Sequence, residues 1–105
     1  IDWVTPPKTA IDSSNTPFYR WFPDGEMNTC FNAVDRHVAA GRGEQKAIIY
    51  DSPITNSKSS LTFAELQTAT AKFAGMLAGN GLVAGDRVII YMPMIPEAVI
   101  AMLAA

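Results

Sequence analysis

The sequence predicts an α/β chain: an irregular arm, a helix, a hairpin, a second helix, a buried strand and a third helix. Three observations carry that reading. Thr62-Phe63-Ala64-Glu65 has the form of a capping box, and Phe63, Leu66, Thr70, Phe73 and Leu77 then recur at three- and four-residue steps, as one face of a helix does. Val88-Ile89-Ile90-Tyr91 is a short β-branched run introduced by the turn residues Gly85-Asp86. Beyond it, Pro96 with Glu97 beside it is good chemistry for a helix start, ahead of an alanine-rich apolar stretch.

Taken in order, residues 1–25 hold Pro6, Pro7, Pro17 and Pro23 with Trp3, Phe18, Tyr19, Trp21 and Phe22. Such a segment packs through its aromatic rings without regular structure, and is expected to lie across a larger surface. Phe31, Val34 and Val38 predict a helix over residues 28–40, stopped by Gly41-Arg42-Gly43. A strand is expected at 46–50 and a returning strand at 60–62, joined by the polar, turn-rich stretch 52–59. Gly79-Asn80-Gly81 tolerates positive φ and ends the helix begun at Thr62. The buried strand is placed at 87–92 and the buried helix from Pro96 onward. The resulting organisation is an amino-terminal arm and helix over 1–45, then the start of an α/β domain over 46–105, truncated at its carboxyl end. Ile1 in place of Met, and a last helix without a stop signal, are the grounds for expecting both ends to be cut.

Composition narrows the function classes. At 105 residues the chain suffices for one small domain, yet charged residues make up 17% of it, against about 25% in typical domains. The shortage is local: Glu97 is the one charged residue between Val88 and Ala105. A transmembrane span needs about 20 uninterrupted apolar residues, and Pro93 and Pro96 break this run. Eight Lys and Arg against ten Asp and Glu give a net charge of −2, so there is no basic footprint for nucleic acid. Wholesale disorder is opposed by two Trp, three Tyr and five Phe. Cys30 is the lone cysteine, which leaves no disulfide framework, and Asn15-Thr16-Pro17, Asn28-Thr29-Cys30 and Asn56-Ser57-Lys58 all miss the glycosylation sequon. Both facts favour a reducing, intracellular compartment.

Four places invite a chemical reading, each beside a plainer one. His37 follows Asp35-Arg36 and could join a dyad, but a single histidine without a placed nucleophile reads as structural. Cys30 near a helix start could be activated, or could be a small buried residue. Gly41-Arg42-Gly43 suggests a phosphate loop, yet Lys46 stands where a dinucleotide fingerprint needs a third glycine, and the motif follows a helix, so it reads as a helix stop. Tyr91-Met92-Pro93-Met94 lies at the carboxyl end of the expected strand, where open α/β sheets bind ligands, or is simply core. No catalytic, cofactor-binding or metal-binding residue is assigned.

Whole phrases also resemble a known family. Trp21-Phe22, Asp24-Gly25-Glu26-Met27-Asn28-Thr29-Cys30, Asn32-Ala33-Val34-Asp35-Arg36-His37 and the run from Gly85 through Tyr91-Met92-Pro93-Met94-Ile95-Pro96-Glu97-Ala98 resemble the amino-terminal part of AMP-forming short-chain acyl-CoA synthetases. The Asp-Arg-His and Tyr-Met-Pro-Met phrases are shared with acetyl-CoA synthetases. Tyr50-Asp51-Ser52-Pro53-Ile54-Thr55 and Gly41-Arg42-Gly43 look more like the propionyl-CoA synthetase branch.

The resemblance implies a longer parent enzyme that activates a short carboxylate, propionate favoured, with ATP and passes the acyl group to CoA, assisted by Mg²⁺. Residues 46–105 would then begin the large adenylation domain, and the catalytic residues would lie outside this stretch. The piece alone is expected to be inactive and to self-associate, in the cytoplasm or, in a eukaryote, the mitochondrial matrix. Two alternatives stay open: an acetate-preferring parent, and a non-enzymatic binding module that presents residues 88–105 to a partner.

Overall fold

The arm folds back on itself before it reaches the first helix. In the computed structural model, which describes residues 1–105, β1 (Ile11–Asp12) pairs antiparallel with β2 (Arg20–Trp21). A further bridge joins Thr5 to Glu26, with Val4 N–H donating to the Glu26 carbonyl at 2.8 Å and Glu26 N–H to the Thr5 carbonyl at 2.9 Å. The arm is therefore not without regular structure, and only part of its aromatic set packs: the Trp3 and Phe22 rings meet edge to face at 5.3 Å, while Phe18, Tyr19 and Trp21 are exposed. Gly25 is required there, because a Cβ would stand 2.9 Å from the Trp3 ring and 3.1 Å from Pro7. The clasp is tied to the first helix through Asn32. Its Oδ1 accepts from Asp2 N–H and its Nδ2 donates to the Asp2 carbonyl, both at 2.8 Å.

Asn28 starts the first helical run by accepting from Phe31 N–H at 2.7 Å. The run contains two π-helical stretches, Phe31–Asp35 and Val38–Arg42. Arg36 N–H reaches the Phe31 carbonyl, five residues back, which is the wider bonding of a π turn. Gly41 takes φ of +77° and turns the chain, as the Gly41-Arg42-Gly43 stop predicts.

The hairpin is longer than the sequence pattern suggests. β3 (Lys46–Ser52) and β4 (Ser57–Thr62) pair antiparallel from Lys46↔Thr62 to Ser52↔Ser57, leaving the four residues 53–56 as the loop. Ser57, Lys58 and Ser59 therefore belong to a strand and not to the connection. Backbone pairing does not need apolar side chains, and Asp51 opposite Lys58 adds a 2.7 Å ion pair. Asn56 supplies the positive φ, +49°, that closes the loop.

α1 (Phe63–Gly79) begins at the capping box read from the sequence. Thr62 N–H donates to Glu65 Oε2 at 2.8 Å, and Glu65 N–H donates to Thr62 Oγ1 at 3.2 Å. It ends as a Schellman motif: Gly81 N–H reaches the Ala78 carbonyl and Leu82 N–H the Leu77 carbonyl, with Gly81 at φ +89°. Leu66 and Thr70 on the expected face are buried. α1 packs on both the first helical run and α2 (Pro96–Ala104), where Val34 and then Ala98 and Ala101 are the other buried residues, so the small core belongs to three helices.

The buried strand expected at 87–92 is the main correction. Asp86 N–H closes a turn on the Val83 carbonyl at 3.1 Å, with Gly85 at φ +98°, and the chain then runs without a strand partner into α2. Ile89 is 92% exposed and Tyr91 99% exposed. The residues have strand character, but nothing in this chain lies beside them to accept pairing. The architecture remains α/β, with an open surface. Its accessible area is 7873 Å², against about 5,700 Å² for a compact protein of this mass. The radius of gyration is 16.7 Å, where about 13 Å would be usual. No helix is long and apolar enough to cross a membrane.

Candidate functional site

A cleft of about 640 Å³ lies between the first helical run, α1 and the end of α2. Asn28, Cys30, Asp35, Gln67, Thr70 and Leu103 are among its walls. Asp35 Oδ1 accepts from Gln67 Nε2 at 2.7 Å, a bond that ties the first helical run to α1. Thr70 is 4% exposed, and its hydroxyl has no hydrogen-bond partner. Burial, reinforced by the Asp35 carboxylate, pushes the Cys30 thiol above its ordinary range. The thiol therefore stays protonated near neutrality and is not an activated nucleophile. A spent carboxylate, a neutral thiol and a lone hydroxyl make a seam between helices, not a catalytic constellation.

His37 stands apart from this cleft, its ring 5.0 Å from that of Phe63. Partial burial, then the nearby Arg42 and Arg36 guanidiniums, hold its pKa below the usual histidine value. The Arg42 guanidinium lies 5.7 Å from the same Phe63 ring, and its Nε donates to Gln45 Oε1 at 2.9 Å. His37 is thus one side of an aromatic and cationic stack that joins the two helices, without a nucleophile beside it.

Gly41-Arg42-Gly43 forms no phosphate cradle. The Gly43 carbonyl accepts from Ala64 N–H, the Gln45 carbonyl from Phe63 N–H, and Thr62 Oγ1 from Glu65 N–H. The first amides of α1, the natural anion donors, are consumed by the chain itself. The residues of this chain therefore do not fit the phosphates of a nucleotide at this position. Tyr91-Met92-Pro93-Met94 is likewise no pocket wall, since Tyr91 and Met94 point into solvent. No group of three or more His, Cys, Asp or Glu side chains comes together to hold a metal ion.

The structure thus scatters the four candidate places. The Asp35 to Gln67 bond and the orphan hydroxyl of Thr70 escape sequence reading for one reason: both depend on how separate helices pack, and periodicity assigns Thr70 only to an apolar face.

With the local chemistry so quiet, kinship carries the identification. The chain belongs to the AMP-binding enzyme family, whose model matches residues 35–105. A second model, described as the acetyl-coenzyme A synthetase N-terminus, matches residues 1–33. Among its relatives, human acyl-CoA synthetase short-chain family member 3, mitochondrial, is 47% identical over 104 residues, which are 99% of this chain and 15% of that protein. Acetyl-coenzyme A synthetase of Mycobacterium tuberculosis is 48% identical over 99% of the chain and 16% of its own length. That of Mycolicibacterium smegmatis is 49% identical over 99% of the chain and 11% of its own length. The chain thus spans about a sixth or less of the length of these curated relatives.

Proposed function

We propose that this chain is the amino-terminal part of an AMP-forming ligase that joins a short-chain carboxylate to CoA. In such a reaction a carboxylate oxygen attacks the α-phosphorus of ATP and pyrophosphate leaves. The CoA sulfur then attacks the acyl carbon and AMP leaves. Mg²⁺ would neutralise phosphate charge. The observation that carries the reading is the match of the AMP-binding enzyme model to residues 35–105, joined to relatives that cover 99% of the chain.

On this reading residues 1–45 are an arm and helix, and 46–105 begin the adenylation domain. Its contribution is scaffolding, with the catalytic, nucleotide-binding and metal-binding residues outside these 105 positions. Support comes from the amides of α1 and the Cys30 thiol, none of which is free for chemistry. Propionate is favoured over acetate on the Tyr50-Asp51-Ser52-Pro53-Ile54-Thr55 and Gly41-Arg42-Gly43 phrases. The compartment is the cytoplasm, or the mitochondrial matrix in a eukaryote. The chain by itself self-associates.

Incubating the 105-residue chain with propionate, ATP, CoA and Mg²⁺ should release no AMP above background. Release of AMP would overturn the assignment of the chemistry to other residues. In the enzyme that contains this sequence, kcat/KM for propionate should exceed that for acetate, and the reverse order would assign the acetate reading.

A further inference from the structure

We propose that Asn80 is a site of spontaneous, one-way modification held back by the end of α1: deamidation through the Gly81 nitrogen, giving aspartate and isoaspartate. The proposal goes beyond the ligase reading and does not depend on it. Every atom it uses belongs to residues 76–82.

The sequence singles out the position. Of the asparagines at 15, 28, 32, 56 and 80, Asn80 alone precedes a glycine. The others are followed by Thr16, Thr29, Ala33 and Ser57, whose side chains crowd the backbone nitrogen that has to close on the asparagine. In the closure, Gly81 N bonds to Asn80 Cγ and the Cγ–Nδ2 bond breaks. The proton lost from Gly81 N–H leaves with Nδ2 as ammonia. Water then adds to one of the two carbonyls of the cyclic imide. Opening on one side restores the ordinary backbone with Asp at the position, and opening on the other gives isoaspartate, with the main chain running through Cβ and Cγ. One water is consumed and one ammonia released.

The helix end restrains both reacting groups. Gly81 N–H donates to the Ala78 carbonyl at 2.9 Å, and Asn80 Nδ2 donates to the Met76 carbonyl at 2.8 Å. Leu82 N–H donates to the Leu77 carbonyl at 3.2 Å, so Gly81, at φ +89°, is fixed on either side. The backbone torsion opposes closure as well. An imide ring brings Cβ and the Gly81 nitrogen to the same side of the Asn80 Cα–C bond, whereas at ψ 7° the backbone nitrogen of Asn80 occupies that side. Closure therefore requires the last turn of α1 to open. Asn56 is the internal comparison: it sits at φ +49° in the hairpin loop, with Ser57 behind it.

The products cannot rebuild the cap. Aspartate replaces the Nδ2 donor with a carboxylate oxygen that faces the Met76 carbonyl, acceptor against acceptor. It also places a negative charge at the helix C-terminus, where the helix dipole disfavours one. Isoaspartate adds a main-chain carbon and carries Gly81 out of register with Ala78. Each conversion thus loosens the turn that hands α1 on to residues 82–86.

The test ages the enzyme that contains this sequence, folded and in urea, at mildly alkaline pH. Peptide mass mapping follows each asparagine, with Asp and isoaspartate separated by chromatography. In urea Asn80 should convert several-fold faster than Asn56. In the folded enzyme Asn80 should convert about tenfold or more slowly than in urea, with a rate that rises at urea concentrations below the global transition. Faster conversion of Asn56 in urea overturns the choice of site. Equal Asn80 rates in the two conditions, or a folded rate that follows global unfolding alone, overturn the gate. The product variant Asn80→Asp should keep the helical circular dichroism while the Gly81 and Leu82 amides exchange faster with solvent. Unchanged exchange overturns the one-way effect, and the wild-type comparison stands even where the variant does not fold.

Discussion

Two tetrapeptides of this chain are nearly the same in chemistry and opposite in fate. Ala47-Ile48-Ile49-Tyr50 sits in β3, with Ile48 to Tyr50 registered against Ser59 to Leu61 of β4. Val88-Ile89-Ile90-Tyr91 has equal or greater β propensity and pairs with nothing in the chain. The difference lies in the residues downstream of each. After Tyr50 come Asp51-Ser52 and a four-residue loop, so a partner returns at once. After Tyr91 come Met92-Pro93 and then a helix, so no partner strand returns within these residues. Strand propensity is thus a capacity for pairing, and the connection decides whether the capacity is used within the chain.

The comparison can be broken most forcefully at the support the two regions share. Leu66→Ala removes a buried side chain from a core of five residues, and should cost about 2–4 kcal/mol. With so thin a core, the urea transition should lose its cooperativity. A sharp transition shifted by less than half that amount would mean that each region stands without the helices.

A milder change separates the two regions. Thr62→Ala deletes the capping hydroxyl at the junction of β4 and α1, at about 1 kcal/mol. Hydrogen exchange should rise in β4 and the first turn of α1, with residues 87–92 unchanged. Equal loosening of both would contradict their independence.

Thr70→Val should go the other way. It replaces a buried hydroxyl that has no partner, so the urea midpoint should rise, by about 1 kcal/mol or less. A fall would show that the hydroxyl is satisfied in solution.

The smallest expected effect is acid sensitivity confined to the arm. Hydrogen bonds from Ser14 to Asp12 and from Lys8 to Asp24 hold both carboxyls below their ordinary value of 3.8. A carboxyl lowered on folding stabilises above its unfolded value and loses that contribution as pH falls through the folded one. Fluorescence of Trp3 and Trp21 should therefore change below about pH 3.8, before the hairpin loses its circular dichroism signal. Simultaneous loss of both would sink the idea of a separately held arm.

The amino-acid sequence by itself determined several features whose cause is local. The capping box at Thr62 and Glu65, the stops at Gly41 and Gly81, the turn at Gly85 and the proline start of α2 each depend on residues a few positions apart. They were legible because capping and positive φ act over one turn. The hairpin was legible in outline, but its length was not, since serines in β4 pair by backbone and leave no apolar pattern. The family was legible from phrases strung along most of the chain. The tertiary structure alone decided that Asp35 is held by Gln67, that Thr70 is buried without a partner, that the Cys30 thiol is kept protonated, and that residues 87–92 stand open. Each of these depends on which surface lies opposite in space, and a pattern along one chain carries no record of that surface until the chain has folded.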